Sequence, residues 1–193
     1  MDRSRGFSLI ELMVAMVVSL VVILGAGQLF ISLSQTSQRI TLLSEKQAAV
    51  NFAVETLLRD IRRAEWGSDV VGEDGEKLTL RVRNRGDMTG CDDDGDRLDK
   101  RYSLGETASG ESGSYSLRVQ RRCVPEGGPP DSYGAAEPLI GGFDEGGFSV
   151  SWLEVAGVRI GVEVTLNLQP LQEGGDPDVL TFHAVNRTAA VTR

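Results

Sequence analysis

Residues 6–31 read GFSLIELMVAMVVSLVVILGAGQLFI. From Leu12 to Ile31 the run is almost purely apolar. A helix needs about 20 such residues to cross a bilayer. Arg3 and Arg5 precede the run, and basic residues on that side keep the amino terminus cytoplasmic and send the rest outward. A secretory signal would place a small-residue cleavage site behind the apolar core. No A-x-A site follows here, and the run passes into a further helical pattern. The segment is therefore expected to stay with the mature chain. Glu11 is the exception at its front. A charge costs on the order of 3 kcal/mol at the bilayer centre and less near its edge. Glu11 either remains among the headgroups or awaits a positive partner from another chain.

Working outward, residues 12 to 38 contain no charged side chain, whereas the rest is polar and glycine-rich. That asymmetry points to a membrane or interface segment fused to a soluble domain. The formal net charge is −8, so nucleic acid is not an expected partner of the surface as a whole. The first proline is Pro125, so nothing kinks the amino-terminal helix by that route. Gly25 and Gly27 are its weaker points. Leu43, Val50, Val54, Leu57 and Ile61 then fall on one helical face. Glu55 and Arg59 form a favourable i,i+4 pair. Trp66-Gly67 supplies a stop.

After Gly67 the period changes to two. Leu78, Leu80 and Val82 alternate with polar neighbours, as do Tyr115, Leu117 and Val119, and Phe148, Val150 and Trp152. The clearest strand is Val158 to Leu168, and another covers Val179 to Val185. These runs predict an antiparallel sheet with one covered face. Glu154-Val155-Ala156-Gly157 predicts a hairpin connection, and stretches near 105–114 and 125–138 read as long surface loops. The fold class is α+β: a long amino-terminal helix, half membrane and half amphipathic, packed on a carboxy-terminal antiparallel sheet. Cys91 and Cys123 are the only cysteines. In an oxidising compartment they are expected to pair, which the chain-entropy model values at about 3–4 kcal/mol; two buried thiols are the alternative.

Gly6-Phe7-Ser8-Leu9-Ile10-Glu11-Leu12, after a short basic leader and before an uninterrupted apolar helix, closely resembles the processing motif of type IV prepilins and type II secretion pseudopilins. The resemblance implies that a membrane prepilin peptidase cuts between Gly6 and Phe7. The same enzyme would methylate the new amino group of Phe7. Glu11 would then neutralise that amino group on a neighbouring subunit, one carboxylate against one ammonium in a dry core. The implied organisation is a leader over residues 1–6, a transmembrane and filament-core helix over 7–31, an amphipathic helix over 32–66 and a periplasmic β-rich domain over 67–193. The implied location is the inner membrane and then the pilus. The implied partners are the peptidase, other major and minor pilins, membrane lipid and, indirectly, an inner-membrane assembly platform and a cytoplasmic ATPase. The segment QAAVNFAVETLLRDIRRAEW (47–66) and the ending Val185-Asn186-Arg187 resemble those of PilW-like minor pilins. The J-type minor pseudopilins share the layout, and a membrane-tethered periplasmic binding module is a reading of another class.

The sequence offers little for catalysis, and no enzymatic activity is expected. His183 is the only histidine and falls in a strand pattern. No G-x-S-x-G or metal-type His/Cys spacing occurs. The run Gly141-Gly142-Phe143-Asp144-Glu145-Gly146-Gly147 lacks the lysine of a P-loop. No cofactor is required by any of these residues. Asp92, Asp94, Asp96 and Asp99 form the densest acidic cluster. Their alternation resembles the first half of a calcium loop, but Arg97 stands at the glycine position and Ser103 at the closing glutamate. The alternatives are a calcium site and a solvated acidic turn. Arg81, Arg83, Arg85, Arg118, Arg121 and Arg122 form either a local basic patch or an ordinary solubilising sheet face.

Overall fold

The apolar run and the amphipathic pattern behind it form one helix, α1 (Leu9–Arg63). The computed structural model describes residues 8–66, 75–86, 88, 91, 96–107, 114–170 and 175–186. At the start of α1 the Ser8 carbonyl accepts the amides of Glu11 and Leu12. At its end Arg62 and Arg63 place positive charge against the negative pole of the helix dipole. The last carbonyls of a helix have no internal donors. Here the Asn186 side-chain amide donates to the carbonyls of Ile61 at 3.1 Å and Ala64 at 2.7 Å. Asn186 is fully buried, so the carboxy-terminal end of the sheet closes the helix.

The chain divides into two compact units, Met1–Gln47 and Ala48–Arg193. The second holds six strands: β1 (Lys77–Arg83), β2 (Arg97–Glu106), β3 (Tyr115–Val124), β4 (Glu137–Val155), β5 (Val158–Leu168) and β6 (Asp178–Val185). They form one antiparallel sheet in sequence order, β1 to β6. The alternation expected around Leu78, Leu117, Val150 and Val164 is present, with those side chains buried. Ala53, Leu57 and Ile61 of α1 are fully buried against that face. Such a helix stripe is held because burying one large aliphatic side chain contributes roughly 1.5–3 kcal/mol. The stripe begins later than its periodicity suggests: Leu43 is 44% exposed, and packing starts at Ala49 and Val50. The second unit is thus a helix end packed on an antiparallel sheet, the α+β arrangement anticipated.

Three details differ from the sequence reading. β2 carries no legible alternation, yet it pairs with β1 from Arg97 to Ser103 and with β3 over its whole length. The loops expected near 105–114 and 125–138 are each shortened at one end, because β2 runs to Glu106 and β4 begins at Glu137. The glycine-rich run 141–147 belongs to strand β4. There Phe143 pairs with Leu168 and Phe148 with Leu166, and the register shifts between them. A bulge accommodates such extra residues and bends the strand. The β4–β5 hairpin forms as expected, with Val155 opposite Val158. Its turn residues Ala156 and Gly157 have φ of 52° and 77°, the positive values that tight hairpins demand.

Candidate functional site

Glu11 lies in the first turn of α1, exposed, with a carboxylate that has no partner among the described residues. Negative charge there is favoured by the helix dipole. Around and beyond it the helix surface is apolar on all sides: Leu12, Val14, Val17, Leu20, Ile23 and Phe30 are each more than half exposed. A helix apolar all round belongs in a membrane or in the core of an assembly. The mean hydropathy of its most apolar window is 2.7, so α1 is long and apolar enough to cross a membrane. Some of its hydroxyls are satisfied internally. Ser19 donates to the Ala15 carbonyl at 2.7 Å and Thr36 to that of Ser32 at 2.9 Å, which removes the need for water at those positions. Gly6 and Phe7, where the sequence places cleavage and methylation, lie outside the described residues.

The sheet unit shows what its charged residues do. Asp60 of α1 is buried at the helix–sheet contact and was not singled out by any sequence pattern. It accepts the Tyr102 hydroxyl at 2.5 Å and the Lys100 ammonium at 3.0 Å. Burial of the Tyr102 phenol, with the Asp60 charge beside it, holds its pKa far above the usual phenol value. The signal was helical spacing: Asp60 is adjacent to Ile61 and three positions after Leu57, on the buried stripe.

Asp99 occupies the opposite face of the sheet. Arg81 reaches its two oxygens at 2.7 and 3.0 Å, and Arg122 donates twice more at 3.0 and 2.8 Å. Only 2% of its side chain is exposed. Burial alone would raise its pKa, but the hydrogen bonds from Arg81 and then Arg122 outweigh that and hold the carboxyl below its ordinary range. Two guanidiniums already pair with Asp99, which sets its surroundings apart from those of Asp96. Asp96 receives the Glu126 amide at 3.1 Å through one oxygen; Asp92 and Asp94 lie outside the described residues.

Cys91 and Cys123 are joined as a disulfide with Cα atoms 5.6 Å apart. Among the described residues, Cys91, Asp96 and Cys123 are the one group of metal-type side chains close enough to share an ion. The disulfide consumes both thiols, and thiolate is the form that binds metal. His183 sits on β6 as expected, exposed and 2.6 Å from Glu163 on β5. The basic patch is partly assembled. The strand registers put Arg81, Arg83, Arg118 and Arg122 on the face opposite the helix, with Arg101. Arg121 points to the other side, where it pairs with Glu137 at 2.8 Å.

Residues 1–27 match the family model of the prokaryotic N-terminal methylation motif. No curated protein and no solved structure matches the chain. The motif and the apolar helix together support a type IV pilin-like protein, of a pilus or a pseudopilus. They imply processing by a prepilin peptidase and assembly with other pilins, and they fit a membrane-anchored chain.

Proposed function

We propose that this pilin-like chain is a minor pilin of a type IV pilus, which helps initiate or cap assembly after leader cleavage and N-methylation. The observation that carries the reading is the conjunction of the methylation motif with a helix whose apolar surface is uncovered by its own chain. Uncovered apolar area on that scale has to be buried elsewhere. Lipid covers it first, with the amino terminus cytoplasmic and the sheet unit periplasmic, and the helices of neighbouring pilins cover it in the filament. Cleavage after Gly6 exposes the amino group of Phe7, and Glu11 of an adjacent subunit neutralises it. The protein acts as a structural subunit rather than as an enzyme, and needs no cofactor in that role. Assembly energy comes from a separate ATPase.

The test is the mature amino terminus of the protein from cells, read by mass spectrometry, in wild type and Gly6→Val. N-methylated Phe7 is expected in the first and the uncut leader in the second. Normal-sized protein from the variant would sink the reading, as would an uncut wild type that never crosslinks to pilins, the behaviour of a tethered binding module. The same motif serves J-type pseudopilins of type II secretion. Deletion therefore has to abolish pilus function; loss of secretion with pili intact would transfer the protein to that system.

A further inference from the structure

The sheet face opposite the helix carries a groove of about 500 Å³. It is lined by the exposed Ala136 and Pro138, by Leu139 and Ile140, whose side chains also pack with the core, and by Thr107, Ser116 and Arg118, its single cation. That volume lies within the range of about 300–1,000 Å³ typical of ligand pockets.

Arg118 is held in place by a hydroxyl and a glycine. Its Nε donates to Ser116 Oγ at 3.0 Å, and Ser116 Oγ in turn donates to the Gly105 carbonyl at 3.2 Å. The guanidinium lies flat against Gly105. A Cβ there would stand 2.9 Å from Cζ, Nε and Nη1, so only glycine leaves room for this pose. Arg81, Arg97, Arg121, Arg122 and Arg159 all pair with carboxylates. The terminal nitrogens of Arg118 have no such partner among the described residues. Arg118 is therefore held in one pose by its Nε, with its terminal donors facing no carboxylate among the described residues.

The backbone around it is also specialised. Opposite β3, the pairing on β4 jumps from Ile140 to Pro138 and from Phe143 to Gly141. Leu139 and Gly142 are thus extra residues, and Gly142 has φ of 83°. Bulges re-aim side chains and recur beside functional sites. Here one of them inserts Leu139, which lines the groove and packs against the core.

We infer that this groove binds a carboxylate carried on an extended polypeptide, an acidic side chain flanked by aliphatic ones. The planar guanidinium matches a carboxylate with two parallel donors. A phosphate dianion would call for a second cation, and the lining has none. The aliphatic walls take the neighbouring side chains. A fatty acid would bury its chain in an enclosed tunnel, whereas this groove is open along one side.

The test titrates the full-length protein in detergent micelles with fluorescently labelled acetyl-Leu-Glu-Leu-amide, its Leu-Gln-Leu counterpart and octanoate. The glutamate peptide is expected to bind, and the glutamine peptide to bind about tenfold more weakly, a difference of about 1.4 kcal/mol. Arg118→Gln is expected to remove that preference, while Arg118→Lys keeps part of it. Thermal melting of each variant checks that it is folded. Equal binding of the two wild-type peptides overturns the inference even if Arg118→Gln does not fold. So does a preference that survives Arg118→Gln, or binding of octanoate without either peptide.

Discussion

The Tyr102 hydroxyl donates to the Asp60 carboxylate at 2.5 Å, tying the second strand to the helix across 42 positions of sequence. Both residues are only 1% exposed. A buried carboxylate persists when it is paired and hydrogen-bonded, and Asp60 also has Lys100. Tyr102→Phe is expected to destabilise the sheet unit by about 2 kcal/mol, the range for a hydrogen bond to a charged group. Thermal melting of wild type, Tyr102→Phe, Asp60→Asn and the double variant measures the coupling. Strictly additive losses would count against a direct interaction.

The same pair predicts an alkaline response. The folded pKa of Tyr102 lies above the unfolded value of about 10. The contribution is then fully present below pH 10 and is lost as pH rises beyond it. Wild type is expected to lose stability above that pH more steeply than Tyr102→Phe. Parallel pH profiles would refute the assignment.

Asp99 predicts the acid side. Its folded pKa is lowered by Arg81 and Arg122 against the cost of burial. Its stabilisation is therefore complete above the unfolded carboxyl value of about 3.9 and is lost as pH falls through the folded value. Asp99→Asn is expected to cost about 2 kcal/mol at neutral pH, discounted because the Arg81 side chain is 44% exposed. The variant should also melt with a flatter profile below about pH 4. An acid profile identical to wild type would argue that other carboxylates govern that transition.

Ala156 predicts a gain. It is the non-glycine residue with positive φ, 52°, among those described. An L-residue in that conformation is strained by roughly 1–2 kcal/mol. Ala156→Gly relieves the strain but loosens the unfolded chain, so a net stabilisation of about 0.5–1 kcal/mol is expected. A rise in melting temperature checks it, and an unchanged or lower value contradicts it.

Glu11 predicts a separation of processing from assembly. Glu11→Ala is expected to leave cleavage intact and to reduce incorporation into filaments. Immunoblots of sheared filaments against whole-cell protein measure the two together. Wild-type incorporation would remove Glu11 from the subunit contact.

What the sequence determined by itself was local. Residues 9–31 read as a helix long and apolar enough to cross a membrane, because apolarity, length and flanking charge are all properties of consecutive residues. β5 was legible because its side chains alternate cleanly, and Val158 and Val155 flank a recognisable turn. The disulfide needed only two cysteines and an oxidising compartment.

Tertiary structure decided what depends on partners far away in the chain. β2 escaped notice because Lys100 breaks its inward alternation, and that lysine is tolerated only because Asp60 arrives from the helix to neutralise it. Asp99 read as part of an acidic cluster with its sequence neighbours, but strand pairing sets it between Arg81 and Arg122, which both donate to its oxygens. Arg118 looked like one solubilising arginine among several, until Gly105, Ser116 and the bulge at Leu139 fixed it beside a groove. A charge is visible in sequence; whether it is neutralised depends on cross-strand and helix–sheet neighbours that only folding brings within about 3 Å.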